Sequence, residues 1–452
     1  MNGDEDVLRC YQFLQKFLKE SKQFGAQRRA SEATAVSMGL RNLATNSDYE
    51  DTTRLTLNME TKLVENMKPY FEWQTAEDVQ LKISISEEGK PAILCEKNGK
   101  ALKNVPAALK KNELVVEIKG LCSQLKDQYV RTKAMMEQFM EDGVEFSFSE
   151  LVNLQKNPMI TPILRGLVYI SDKQCGFLAD LNLKAEQKVR IAHPLDLWKL
   201  GNWQDYQKIL FERKVKQPFK QVFRELYVKT AEEMEKENSL RYAGNQIQPR
   251  KTVACLKNRR WVADYEDGLQ KVYYKENIVA RIYALADWFS PGDIEEPTLE
   301  WVEFSDRKTF QPIKIKDVPE RIFSEVMRDV DLAVSVAHVG GVDPETSHST
   351  MEMRRMIVEF NLPLFGLTNV TFAGNHAVIE GKRASYTVHL GSGVVFKKGG
   401  TQIAVLPVHS QHRGKLFLPF IDEDPKTAEI MSKIVLFAED MKIKDPYILE
   451  QI

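Results

Sequence analysis

The sequence predicts an α+β fold with a helix-rich N-terminal part carrying a small β meander, a mixed aromatic-rich middle, and a β-rich α+β C-terminal domain. Three observations predict it. Apolar residues of the first third recur at helical three-and-four spacing, five of the six Trp fall between residues 190 and 330, and short alternating segments with glycine turns dominate after Asp331. The expected domains are residues 1–190, 191–330 and 331–452.

Val7, Cys10, Tyr11, Leu14, Phe17 and Leu18 share one helical face, as do Leu55, Met59, Leu63 and Met67. Val79, Leu81, Ile83 and Ile85 then alternate with polar residues, and Glu88-Gly89 and Asn98-Gly99 supply turns for a hairpin or meander. A long helix is expected from Asn112 to Asp142, stopping at Gly143, with its Met-rich end filling core. Trp198, Trp203, Trp261, Trp288 and Trp301 are expected to fix contacts between layers or domains. Pro218 suits a first helical position, with Phe219, Phe223 and Leu226 on one face. On such a helix Lys220 and Arg224 would form either an anion clamp or, the preferred reading, a solvated basic edge.

Residues 290–297 read as a surface break before a strand at Thr298–Phe304. Beyond it, strands are expected at Leu332–Ala337, Asn369–Phe372, Ala377–Glu380, Ser385–Leu390, Val394–Phe396, Ile403–Val408 and Leu416–Leu418. Helices are expected at Thr346–Phe360, with Ser349 and Glu352 as a capping box, and after Asp424-Pro425, with Ile430, Ile434 and Phe437 facing inward. Asp329 and Asp331 would share a face if extended, as a Mg²⁺ pair or, preferably, as salt-bridge partners.

Lys plus Arg number 63 against 64 Asp plus Glu, so any charge signal must be local and nucleic acid is neither favoured nor excluded. The five Cys are dispersed without CxxC, which fits a reducing, cytoplasmic location. No stretch approaches the roughly 18 uninterrupted apolar residues of a membrane span. HExxH and the P-loop pattern are absent, and the Gly391-to-Phe396 run departs from the dinucleotide fingerprint because a strand follows it.

Six of the seven His (His338, His348, His376, His389, His409, His412) lie in the last quarter. Histidine suits a metal site or a titratable cation near neutral pH, but His409 and His412 fall on a loop, and no metal site or cofactor is assigned. Gly391-Ser392-Gly393 follows a strand ending near His389 and reads either as a nest of N–H groups for an anion or as a hairpin turn of small residues. The anion-site candidates are His389, Gly391, Ser392, Gly393, His409, His412, Arg413 and Lys415, the last four adding titratable rings, a guanidinium fork and an ammonium.

The runs FSEVMRDVDLAVSVA (Phe323–Ala337), YTVHLGSG (Tyr386–Gly393), LPFIDEDPKTAEIMSKIVLFAED and KIKDPYILEQI resemble the C-terminal region of bacterial proteins of unknown function linked by name to a molybdate-metabolism regulator. SEATAVSMGLRNLA, QPFKQVFRELY and RYAGNQIQ (Arg241–Gln248) are similar to earlier parts of the same family. The resemblance implies a portion or a short member of longer, often WGR-linked proteins, and a protein partner such as a MoxR-type AAA ATPase system. It carries over no catalytic residues. Two functions follow as expectations: a cytoplasmic regulatory or interaction protein with an anion site, or an enzyme such as an ADP-ribosyl or phosphoryl transferase in which His389, His409 and His412 do acid–base work and Arg413 holds the anion.

Overall fold

A computed structural model describes residues 3–172, 174–257, 259–264, 268–284, 296–341, 348–405, 416–421 and 425–452. The fold is α+β, with helices first and several small antiparallel sheets after them. The chain divides into two compact units: Met1–Ala192 with Lys216–Phe219, and His193–Val215 with Lys220–Ile452.

The first unit begins with three helices, Asp4–Glu20, Ala26–Thr45 and Thr52–Asn66, packed around Tyr11, Leu55 and Met59 as the helical spacing predicts. The Tyr11 hydroxyl donates to buried Glu60 at 2.7 Å, and Arg131 of the long helix donates to the same Glu60 oxygen at 2.6 Å. Burial, with Glu60 beside it, raises the Tyr11 phenol far above its ordinary range, so it remains a donor. The expected meander is a four-stranded sheet, Gln74–Ala76, Val79–Ile85, Pro91–Lys97 and Lys100–Leu102, in sequential order. Asn98 and Gly99 both take positive φ (52° and 72°), which suits a two-residue hairpin turn of the right twist.

The long helix is Glu113–Asp142. Asn112 caps it by accepting from the N–H of Leu114 and Val115, and Gly143 ends it in the left-handed region. Met136 and Met140 are fully buried as core filler. A second sheet, ordered Glu145–Ser147, Lys188–Ile191, Val168–Ser171, Gln174–Phe177, completes this unit, and its short strands escaped the sequence reading.

The second unit contains a five-stranded antiparallel sheet ordered Val262–Asp264, Gly268–Tyr273, Ile278–Ala284, Leu299–Asp306, Asn238–Ser239. The expected strand at Thr298–Phe304 is thus Leu299–Asp306. Residues 285–295, which include Trp288 and most of the expected surface break, lie outside the described residues. Trp261 is buried, but Trp198 is 48 % exposed and anchors no layer.

The helix Glu320–Ala337 packs into the same core as this sheet and corrects the strand expected at Leu332–Ala337. LAVSVA alternates like a strand, yet Phe323, Val326, Met327, Val330, Ala333, Val334 and Ala337 fit one continuous helical face, and burial of that face decides the outcome. Asp329 and Asp331 therefore diverge. Asp329 accepts from Lys271 (2.7 Å), Arg259 (3.1 Å) and the Trp261 indole (2.9 Å), while Asp331 accepts from the Thr350 hydroxyl (2.9 Å).

The helix expected after Pro218 is also absent: the chain turns irregularly between the helices Trp203–Glu212 and Ala231–Met234. Phe219 is buried in the first unit's core, whereas Phe223 stacks edge-on against Phe211 in the second, and one continuous helical face would keep them together. Lys220 and Arg224 form neither a solvated edge nor an open clamp. Lys220 pairs with Glu225 at 3.1 Å, and fully buried Arg224 grips both oxygens of Glu325 at 2.8 and 2.6 Å.

The C-terminal part is a five-stranded antiparallel meander, Val370–Ala373, His376–Glu380, Ser385–His389, Val395–Lys397 and Thr401–Ile403, in sequential order. It matches the alternating segments read from the sequence up to Val395–Lys397; the strand expected at Ile403–Val408 is instead Thr401–Ile403, with 404–405 outside any strand, 406–415 lie outside the described residues, and 416–418 form no strand. Helices His348–Asn361 and Pro425–Ala438 share its core, with Ile430, Ile434 and Phe437 buried as expected. Ser349 lies inside the first turn of its helix, and its hydroxyl donates to the Leu226 carbonyl at 2.6 Å instead of capping. The helix starts at His348, two residues earlier than a Ser349 cap requires.

Candidate functional site

The strand Ser385–His389 runs into the expected hairpin at Gly391-Ser392-Gly393. Gly393 has φ 71°, and its N–H donates to the His389 carbonyl at 2.8 Å. The Ser392 N–H donates to His389 Nδ1 (3.1 Å), the Ser392 hydroxyl lies 2.9 Å from the same nitrogen, and the Val394 N–H donates to Ser392 Oγ (3.3 Å). Three of the turn's N–H groups are thus satisfied locally, which is the hydrogen bonding of a hairpin turn.

Cationic side chains converge on the carbonyls of this turn. Arg354 Nη1 donates to the carbonyls of Leu390 (3.2 Å) and Gly391 (2.8 Å), Lys426 to that of Ser392 (3.3 Å), and Lys433 to that of Gly393 (2.8 Å). Both lysines also reach Glu429, at 3.0 and 2.7 Å. Burial pushes the Glu429 carboxyl up, but the two ammonium groups outweigh it and hold the carboxyl below its ordinary range. Two lysines therefore share one carboxylate, while Arg354 is held by carbonyls alone among the described residues. A cleft of about 460 Å³ adjoins the turn, lined by Ser392, Val394, Val395, Gln402, Lys433 and Tyr447 among others.

His376 stands directly across from His389 in the strand register, with ring centroids 4.9 Å apart. The structure therefore brings together His389, Gly391, Ser392 and Gly393 and adds His376, Arg354, Lys426 and Lys433. His409, His412, Arg413 and Lys415 lie outside the described residues. Arg354 and Lys433 escaped the sequence reading, although a signal existed. Lys433 lies three residues after Ile430 and four before Phe437, and Arg354 lies three after Met351 and four before Val358, so each is a cation on an apolar helical face. Among the described residues no group of three or more His, Cys, Asp or Glu side chains is placed to hold a metal ion.

A backbone nest of the expected kind does exist, but at another turn. The N–H groups of Lys382, Arg383 and Ala384 donate to the carboxylate of buried Asp440 at 3.1, 2.6 and 3.4 Å, and the Tyr386 hydroxyl joins them at 3.2 Å. Burial, then Asp440, pushes the Tyr386 phenol up to about 12. A Cβ on Gly381 would stand 2.6 Å from the Ala384 carbonyl oxygen and closer still to Asp440, so the close approach requires glycine. This nest is filled by the chain's own carboxylate.

The ion cluster of His193, Arg224 and Glu325 is also closed, with all three side chains at 2 % exposure or less. It supports the fold and offers no surface to a ligand.

Fold and site together define an α+β protein with a cation-ringed hairpin in its C-terminal part. Residues 99–261 match a domain of unknown function (DUF4132), residues 351–452 a second such domain (DUF7737), and residues 1–59 a family of unknown function (DUF5724). The second match contains the hairpin and all three cations that ring it. No curated protein and no solved structure matches the chain. Among the described residues no helix is long and apolar enough to cross a membrane.

Proposed function

We propose that this chain works by binding, as a cytoplasmic regulatory or interaction protein whose C-terminal part holds an anionic group beside the hairpin Leu390–Gly393. The observation that carries this reading is the excess of cations at the turn among the described residues, where Arg354, Lys426 and Lys433 all donate to the turn's carbonyls and only the two lysines are matched, by the carboxylate of Glu429. Such an excess lowers the free energy of a bound anion, most of all where burial keeps water from screening it. His409, His412, Arg413 and Lys415 belong to the same proposed site. The resemblance to the molybdate-metabolism-regulator-like family adds a protein partner of the MoxR-type AAA ATPase kind to the reading. Calorimetric titration of the intact chain with inorganic phosphate and nucleotides at fixed ionic strength tests it. Saturable binding that weakens two- to threefold in Lys426→Ala is expected, and heat that tracks ionic strength alone would overturn it.

One observation favours an enzyme instead: the 2.9 Å approach of Ser392 Oγ to His389 Nδ1, a nucleophile-to-base distance. The same ring nitrogen accepts the Ser392 N–H, so the pair also closes a local turn, and the binding reading is preferred. Turnover of a phosphorylated substrate that Ser392→Ala abolishes would reverse that preference.

A further inference from the structure

Arg354 lies on the buried face of the helix His348–Asn361 and is 8 % exposed. A guanidinium has five N–H donors, and one so deeply buried is ordinarily matched by a carboxylate. Among the described residues Arg354 has none: its partners are the carbonyls of Leu390 and Gly391, and both bonds come from Nη1. Its Nε is enclosed and has no acceptor. Among the described residues no bond uses Nη2 either. The hairpin therefore fixes the guanidinium by one nitrogen and, among the described residues, leaves the Nε/Nη2 edge without a hydrogen bond; its two N–H groups run side by side and match two oxygens of one oxyanion.

We propose that Arg354 is the gripping residue of the anion site and that its ligand is a phosphate group, held side-on by Nε and Nη2. This rests on the anion-binding reading above and adds to it a named receptor and a geometry. The carbonyl bonds act as a positioning device: they hold the charge without neutralising it, so the bound phosphate supplies the missing counter-charge. Lys426 and Lys433, already sharing Glu429, contribute field and little geometry. A lysine at position 354 would keep the charge and lose the fork.

The test is phosphate binding by the intact chain, in wild type, Arg354→Lys and Lys426→Ala, with chloride matching the ionic strength. The proposal expects Arg354→Lys to weaken binding tenfold or more and Lys426→Ala to weaken it two- to threefold. If phosphate binds wild type and Arg354→Lys equally while Lys426→Ala binds it more weakly, the role of Arg354 is overturned and the anion site stands. If wild type does not bind phosphate, both fall. Should Arg354→Lys fail to fold, the wild-type arginine Nε–H resonances decide: at saturating phosphate one should move downfield and exchange more slowly with water. Binding that moves none of them overturns the proposal.

Discussion

His193 donates its Nε2 proton to Glu325 across 2.8 Å while its Nδ1 accepts the N–H of Leu195, so one ring joins two segments 132 residues apart and caps a helix as well. The second bond requires an unprotonated Nδ1, which makes the ring neutral. Burial lowers the His193 pKa and outweighs the attraction of Glu325. Burial raises Glu325, but Arg224 and the His193 bond more than reverse it and hold that carboxyl well below its ordinary range.

Stability should therefore fall on acidification in two stages. The unfolded chain binds a proton at His193 near its reference pKa of about 6.5 while the folded chain does not, so stability is lost as pH drops through that value. The contribution of Glu325 is present above its unfolded pKa of about 4.3 and is lost as pH falls further towards the folded one. Urea midpoints measured from pH 8 to about 2 should decline, and His193→Gln should flatten the upper stage.

Removing one member of the Arg224–Glu325 pair should cost more than removing both. Arg224→Met leaves a buried carboxylate without its guanidinium, which costs about 3–5 kcal/mol, whereas pairing it with Glu325→Leu should recover part of the loss. Equal midpoints for the single and double variants would contradict this.

Gly381→Ala should destabilise the second unit by about 2 kcal/mol or more, since the added methyl must displace the Ala384 carbonyl or the Asp440 carboxylate. Asp440→Ala should do comparable harm by a different route, stranding the N–H groups of residues 382–384 and the Tyr386 hydroxyl. Thermal denaturation followed by near-ultraviolet circular dichroism reads both.

Tyr11→Phe should cost about 1–2 kcal/mol, because it leaves the 1 %-exposed Glu60 with Arg131 as its remaining charged partner. Glu60→Gln should cost more, since it removes the acceptor that Tyr11 and Arg131 share. Differential scanning calorimetry of the two variants gives the order.

The C-terminal meander was legible because its strands alternate and glycine turns separate them, and the helix Glu113–Asp142 because cap, stripe and Gly143 agree. The run Leu332–Ala337 misled because a helix end and a strand can carry the same six residues, and only the sheet packed beside it chooses. At Phe219 and Phe223 the four-residue spacing was real, but its two rings serve different cores. The hairpin was placed correctly, yet its ring of cations was hidden, since Arg354 is fixed by carbonyls 36 and 37 residues away, and side-chain patterning does not record backbone acceptors.

The return of Lys216–Phe219 to the first unit bears on how the gene could be divided. A fragment ending at Ala192 keeps every helix and sheet of that unit but lacks the Phe219 ring and the bond from Gln217 to the Gly166 carbonyl. Its core would lack an aromatic ring's volume at that position. A short synthetic peptide spanning these four residues, added in trans, is the natural plug, which makes the first unit a candidate for a split-protein reporter.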